Sequence, residues 1–316
     1  MQIVSFVPKT ASATAPRVGA LLADRVHILD FAAAVDRDGT QPPFFAWYDL
    51  EGEWLPKAMK LVPRFEGEAS SGGRPAGSAR VGHGAPHRPL VPLADVQLLA
   101  PVPRPGKIIC IGLNYRDHAE ESKMAVPDSP ITFSKYGTCV THPAAPVYLP
   151  RASEKVDYEA ELAVVIGRRA KHVSRERAYD YVLGYTNFND VSARDFQFAD
   201  GQWQRGKSCD SFAPMGPAIV TRDEVPDPHR LRIALRLNGQ TMQSSSTEQL
   251  IFGVDQLIEF LSETVTLEPG DVIATGTPPG VGFARKPPVF LKSGDLMEVE
   301  VEGLGVLSNP VLADPA

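Results

Sequence analysis

The chain has 316 residues, of which 43% are hydrophobic and 22% charged, with a formal net charge of −6 at pH 7. This length suits one large core or two domains, and this composition suits an ordinary globular protein. The negative balance gives no footing to a nucleic-acid partner, and no apolar run approaches the ~20 residues of a membrane span.

The N-terminus, MQIVSFVPKT, lacks the basic and apolar regions of a secretory signal, and Cys110, Cys139 and Cys209 form no CxxC pair and no zinc spacing. Both features predict reduced thiols in a cytoplasmic protein. The 29 prolines and 26 glycines favour a turn-rich, mainly β fold with some α.

From the N-terminus, Gln2–Val7 and Arg25–Leu29 read as short strands, and the stretch around Trp54–Leu61 reads as a helix. Glu66–Pro89 is rich in Gly, Ser, Ala, Arg and Pro without apolar periodicity, which predicts a flexible linker or long loop. His83 and His87 stand four apart within it, but the surrounding glycines and prolines forbid a helix that would join them on a metal. The expected division is a small N-terminal α+β domain over 1–97, with its linker at about 66–89, and a larger domain over 98–316.

Lys107–Leu113 (KIICIGL) is a predicted strand, and GLNYRDHAEE follows it. His118 and Glu121 fall at i, i+3 on one face of a short helix. A carboxylate beside a histidine orients the ring and raises its basicity, which suits a general base near neutral pH. An ordinary surface helix carries the same spacing.

Val156–Gly167 (VDYEAELAVVIG) places Asp157, Glu159 and Glu161 at alternate positions, so a single strand would turn all three acids to one face. Neighbouring acids there lie roughly 6–7 Å apart. At an effective dielectric of about 20 each pair repels by roughly 2 kcal/mol. The apolar run Leu162–Ile166 behind them predicts burial, and a buried cluster of that kind calls for a cation. Oxygen-only ligands favour Mg²⁺, Mn²⁺ or Ca²⁺ over zinc. Asp190, in NFNDVSARD, lies 29 residues beyond Glu161, room enough for a helix and a return strand, and can complete a three-carboxylate site; an Asx-type turn acid is the plainer reading.

Ser174–Tyr181 and Gln249–Glu263 read as helices, the second with apolar residues at a 3.6 period. Gly201–Ser208 (GQWQRGKS) matches the phosphate-loop pattern G-x-x-x-x-G-K-[ST] letter for letter. The segment before it is polar rather than a buried strand, and the prolines after it forbid a long helix, so the match is rejected. What survives is Lys207, a lysine that either neutralises the acids or binds an anionic substrate. Leu231–Leu237, Val272–Thr275 and Leu296–Val301 are further strands, and the turn in ATGTPPGVG (274–282) is expected to offer free backbone amides to a ligand carboxylate.

Together NYRDHAEE, VDYEAELAVVIG, NDVSARDFQ, GKSCDSFAPMGP, LNGQTMQSSST, GDVIATGTPPGVG and LKSGDLMEVEVEGLG resemble, in order and spacing, the fumarylacetoacetate hydrolase (FAH) superfamily over about residues 98–316. TGTPPGVGFARKPPVFLKSGD looks most like the branch of FAH-domain-containing protein 2 and the bacterial 2-hydroxyhepta-2,4-diene-1,7-dioate isomerase-like members. The resemblance implies a mixed β-sandwich roll, usually as a homodimer. It implies Mg²⁺ or Mn²⁺, with Ca²⁺ able to occupy the site, held by Glu159, Glu161 and Asp190. Asp157 belongs to the strand pattern but not to the usual ligand set. The resemblance also implies a substrate site lined by Arg194, Gln197 and Lys207, with Thr277 near a substrate carboxylate, and an acid-base pair, His118 and Glu121, on a lid segment that orders when substrate binds. Cys209 departs from the phenylalanine common after the KS or KT pair.

The activity implied first is metal-dependent hydrolysis of a C–C bond in a β-diketo acid, of acylpyruvate or fumarylpyruvate type, through a metal-bound enolate, as in aromatic catabolism. The alternative is an oxaloacetate tautomerase or decarboxylase, or a 2-hydroxy-dienedioate isomerase, since the same groups without a positioned water only move protons or release CO₂. A further alternative is a non-catalytic ligand-binding protein, against which the intact set of acids, lysine and histidine argues.

Overall fold

Short strands with apolar alternation and a few fully apolar ones build two main sheets and one two-stranded ladder, and the buried strands lie where the main sheets face each other. The computed structural model describes residues 1–9, 15–35, 43–70, 89–199 and 201–315. The larger sheet has twelve strands. Its main path runs Leu90–Pro92, His27–Asp30, Arg17–Leu21, Gln2–Pro8, Ala213–Thr221, Val182–Asn189, Ala160–Ile166, Val272–Ala274, Ile108–Gly112 and Ile131–Lys135. Val96–Leu99 joins Gln2–Pro8, and Val140–Thr141 joins Ala213–Thr221. The second sheet has five strands, in the order Gln240–Ser246, Arg232–Leu237, Leu296–Val301, Val306–Ala313 and Val147–Leu149. The result is the mixed, sheet-dominated architecture expected, with few helices.

Asn187 shows how the sheets are joined. It is fully buried on the central strand Val182–Asn189, where an unpaired amide would be costly. Its Nδ2 donates to the carbonyls of Gly216, Leu304 and Gly305, and its Oδ1 accepts from the Val301 amide at 2.7 Å. The neighbouring strand Ala160–Ile166 is buried at every position, as its apolar run predicts. Strands from before residue 98 continue the same sheet: Gln2 is in register with Val220 and Ile3 with Ile219.

Three local expectations change. The helix forms at Trp54 but runs to Ser70, so residues 66–70 of the linker expected at about 66–89 are helical. Phe65 extends the buried stripe of Leu55, Ala58 and Val62, and the Arg64–Glu68 pair closes another turn. Residues 71–88 of that linker, with His83 and His87, lie outside the described residues. The segment 174–181 is a 3₁₀ helix, Arg175–Tyr181, with no side-chain cap bond from Ser174. The helix expected over Gln249–Glu263 starts only at Val254. The backbone before it is taken up by Asn114, which meets the Phe252 amide and carbonyl through its side chain and the Ile251 amide through its carbonyl. Among the described residues no helix is long and apolar enough to cross a membrane.

Candidate active site

Glu161 is the second residue of the central strand Ala160–Ile166, and Glu159 stands just before it. The antiparallel register pairs Ala160 with Asn189, and the Asp190 amide donates to the Glu159 carbonyl at 2.9 Å. Asp190 is thereby placed across from Glu159 by the return strand. Each of Glu159, Glu161 and Asp190 offers an oxygen within 4.8 Å of the others, and all three are buried.

Asp157 lies outside the strand that carries Glu161. It sits in a separate two-stranded ladder with Ser192–Ala193, and the strand breaks at Tyr158–Glu159. The expectation of three acids on one continuous strand is corrected there. Asp157 faces Arg194, whose Nε donates to its Oδ2 at 2.9 Å, and accepts the amides of Gly282 and Phe283 at 2.7 and 3.1 Å.

The cations enter from two short helices and an edge strand. Arg194 opens the helix Arg194–Gln197; it pairs with Asp157 and with Glu159 (2.6 Å), and donates to Gln197 Oε1 at 2.9 Å. Lys207 ends the helix Gln204–Lys207 and donates to Glu159 Oε2 at 2.7 Å and Asp190 Oδ2 at 2.8 Å. The glycine of the GKS triplet has a packing role: a Cβ on Gly206 would stand 2.5 Å from the Gln197 amide nitrogen and 2.7 Å from the Ala193 carbonyl oxygen. That close approach seats the lysine, and the phosphate-loop match is rejected on geometry as well as on context.

Lys135 was not foreseen. It closes the edge strand Ile131–Lys135, is 4% exposed, and donates to Asp190 Oδ1 at 2.5 Å and to the Val191 carbonyl at 3.1 Å. Its one legible signal is the alternation that sets it on the same face as Phe133, whose ring lies 5.0 Å from the Lys207 ammonium.

Four buried carboxylates thus meet three cations, and the imbalance falls on one residue. Burial raises the Glu159 carboxyl, but Lys207 and Arg194 outweigh it and hold it low, at about 2. Burial also lowers the Lys207 ammonium, but Asp190 and Glu159 outweigh it, so the lysine stays charged. Glu161 touches no cation among the described residues; its hydrogen bond comes from the Gly276 amide at 2.9 Å. Burial, then Asp190 and Glu159, push its carboxyl well above the ordinary range. A buried carboxylate left uncompensated beside two converging ones fits a hard divalent cation, which supplies the missing charge and takes oxygen ligands.

His118 and Glu121 stand on a formed helix, Arg116–Glu121, with His118 8% exposed. His118 Nδ1 lies 3.2 Å from Glu121 Oε2. A carboxylate only accepts, so Nδ1 carries the proton and Nε2 is left to accept one. Both Glu121 oxygens accept the Gly280 amide, at 3.0 and 3.1 Å. Burial raises the Glu121 carboxyl, but the bonds from His118 and Gly280 outweigh it and the net shift is downward. Gly276 and Gly280 are four residues apart, so the amides that meet Glu161 and Glu121 are at most about 14 Å apart.

The turn itself differs from expectation. The amides of Gly276, Gly280, Gly282 and Phe283 are already engaged by Glu161, Glu121 and Asp157 rather than free for a ligand. Thr277 lies among them, 6% exposed. Cys209 is half-buried against the Arg205 carbonyl, where burial raises its thiol.

The model of the fumarylacetoacetate (FAA) hydrolase C-terminal family matches residues 107–312. The chain is 51% identical over 225 residues to the oxaloacetate tautomerase Fahd2a, mitochondrial, of Rattus norvegicus, a match covering 71% of this chain and 72% of the relative. The structure of a fumarylacetoacetate hydrolase from Exiguobacterium antarcticum superposes with a TM-score of 0.76 at 34% identity, over 99% of this chain and 100% of that one. That of 2-hydroxyhepta-2,4-diene-1,7-dioate isomerase from Mycobacterium marinum does so with a TM-score of 0.71 at 32% identity, over 100% of both chains. The mitochondrial relatives overturn the cytoplasmic expectation. Free thiols do not tell one reducing compartment from another. Matched over most of its length, and with buried acids that fit a divalent ion, the chain belongs to the fumarylacetoacetate hydrolase family.

Proposed function

We propose that the protein is a divalent-metal-dependent oxaloacetate tautomerase that interconverts the enol and keto forms of a short 2-oxo acid. The observation that carries this reading is the 51% identity over 225 residues to a relative of that name, against 34% to the hydrolase structure. It reverses the order expected from the sequence, in which C–C hydrolysis stood first.

Glu159, Glu161 and Asp190 are the residues to hold Mg²⁺ or Mn²⁺. When bound, the ion acts as a Lewis acid toward negative charge on the 2-oxo group. The chain's own groups do the rest. Lys207 spends two of its three N–H donors on Glu159 and Asp190, and the third is left for a developing oxyanion. Arg194, locked by Asp157, holds Glu159 and orders Gln197 at the edge of the site. His118, oriented by Glu121, takes the enol hydroxyl proton at Nε2 and returns it to C3. The O–H bond and the C2–C3 π bond are lost, and a C3–H bond and the C2 carbonyl are gained, so atoms and charge balance. Tautomerisation needs no attacking water, whereas hydrolysis also needs one aimed at the more distant carbonyl.

The test is an ultraviolet assay with Mg²⁺ or Mn²⁺, following the enol band of oxaloacetate beside parallel reactions with acylpyruvates and fumarylpyruvate. Rapid enol–keto relaxation, lost in EDTA and restored by metal, is expected. Cleavage of an acylpyruvate with no acceleration of the oxaloacetate equilibrium reinstates the hydrolase, which the Exiguobacterium antarcticum structure favours as second reading. A homodimer is part of the same proposal.

A further inference from the structure

Gln243 lies in the second sheet, on the strand Gln240–Ser246, and is 1% exposed. A primary amide has an acceptor end and a donor end, and backbone partners reveal which is which. The Ala160 N–H can only donate, and it meets Oε1 at 2.9 Å. The Pro278 carbonyl can only accept, and it meets Nε2 at 2.8 Å. The orientation of the amide is therefore determined. The other Nε2 hydrogen goes to Thr277 Oγ1, also at 2.8 Å. The Thr277 hydroxyl must accept that bond, which leaves its own proton for a further acceptor. Thr277 follows Gly276, whose amide touches Glu161, so the hydroxyl stands one residue from a contact of the acid cluster.

We propose that Gln243 is a positioning residue that presents the Thr277 hydroxyl as a hydrogen-bond donor to the carboxylate of a ligand bound at the Glu159–Glu161–Asp190 cluster. This rests on the 2-oxo acid reading above. The polarity is what matters: with an acceptor in place of the Gln243 amide nitrogen, the hydroxyl turns inward and offers the ligand carboxylate a lone pair. Gln243 also grips Ala160, between Glu159 and Glu161, so a purely structural role makes a different prediction: its loss would disturb metal affinity first.

The experiment is calorimetric titration of the full-length protein, first with Mn²⁺ and then with oxalate at saturating Mn²⁺. Gln243→Glu keeps the acceptor for the Ala160 amide and removes both donors. Its oxalate Kd is expected to rise about 10- to 100-fold, the range for a hydrogen bond to a charged group. Its Mn²⁺ affinity should stay close to that of wild type, because the acceptor for the Ala160 amide between Glu159 and Glu161 is kept. Thr277→Val should show a similar loss, and the double variant should bind oxalate no worse than Thr277→Val alone. Penalties that multiply in the double variant, a parallel fall in Mn²⁺ affinity, or unchanged oxalate binding in Gln243→Glu each overturn the proposal. If Gln243→Glu does not fold, the same cycle is run with Gln243→Met, which lacks both donors; coupling to Thr277→Val is again expected, and its absence is again fatal. Wild type that binds oxalate but leaves oxaloacetate unchanged sinks the tautomerase and not the role of Gln243. Wild type that binds no oxalate removes both.

Discussion

Glu159 and Glu161 are two residues apart and electrostatically opposite. Glu159 is satisfied by Lys207 and Arg194, whereas Glu161 has a single backbone amide. Removing one partner of a buried ion pair costs about 3–5 kcal/mol, while removing an uncompensated charge does not. Glu159→Ala is therefore expected to lower the melting temperature of the metal-free protein sharply. Glu161→Gln should leave it level or higher, yet both variants should lose Mn²⁺ binding; calorimetry and thermal melts read the two properties separately. A Glu161→Gln protein that still binds Mn²⁺ as wild type does removes Glu161 from the ligand set.

At the same scale, Glu121 carries a pH prediction. Its folded pKa is depressed, so its contribution to stability is full above the ordinary carboxylate value of 4.5 and is lost as pH falls through the lower folded value. Glu121→Gln should thus narrow the stability difference between neutral and acid pH. It should also slow the reaction at neutral pH, because the histidine loses the carboxylate that supports its basicity. His118→Ala should cost about 10²–10⁴-fold in kcat with Mn²⁺ affinity retained; a matching loss of Mn²⁺ affinity would mean that the histidine acts structurally.

Among elements, the turn from Thr275 to Phe283 does most to assemble the site. Glu121, Gln243 and the pair Asp157 and Glu161 come from three separate segments of the chain and all bond to it. Gly276 is required there on two counts: its φ is +105°, and a Cβ would lie 2.8 Å from Asn114 Cβ and 3.2 Å from the Ile111 carbonyl oxygen. Gly276→Ala should cost about 1–3 kcal/mol in stability from backbone strain alone. Because the turn touches both Glu161 and Glu121, activity should fall further than stability predicts. Wild-type activity in that variant would show that the turn tolerates displacement. The turn's density of glycine and proline was readable in the sequence. That its amides serve the protein's own acids was not, because the acids arrive from segments more than a hundred residues away.

At the scale of the whole molecule, the division at residue 97 remains a proposal about which part folds alone. Gln2–Pro8 pairs with Ala213–Thr221, and Ser5 and Tyr48 both donate to the Pro101 carbonyl, at 2.8 and 2.6 Å. Cutting there uncovers one edge of Ala213–Thr221 and the apolar residues beneath it, and an uncovered edge invites association. A protein of residues 98–316 is expected to melt lower than the full chain and to aggregate. An equal melting temperature and a clean monodisperse profile would establish an independent catalytic domain. For the full chain, sedimentation should give twice 34.2 kDa if the proposed homodimer forms. The exposed edge at Ile131–Lys135, with Met124, Val126 and Tyr136 nearby in sequence and more than half exposed, is the face to mutate should it do so.

The sequence by itself determined what local rules govern. Alternation and apolar runs marked the main strands, the spacing of His118 and Glu121 predicted a pair on one helical face, and the crowding of Asp157, Glu159 and Glu161 before a buried run called for a cation. Family motifs then named Asp190 and Lys207, which no local pattern separates from a turn acid and an ordinary lysine. Only the tertiary structure decided the remainder. It broke the strand after Asp157 and gave that acid to Arg194, drew Lys135 in from a sheet edge, delayed a helix in favour of Asn114, and oriented Gln243 on Thr277. Each of these is a hydrogen bond or ion pair between segments far apart in the chain. Its energy comes from satisfying a buried polar group, and which partner satisfies it is settled by sheet register and packing rather than by neighbours in sequence.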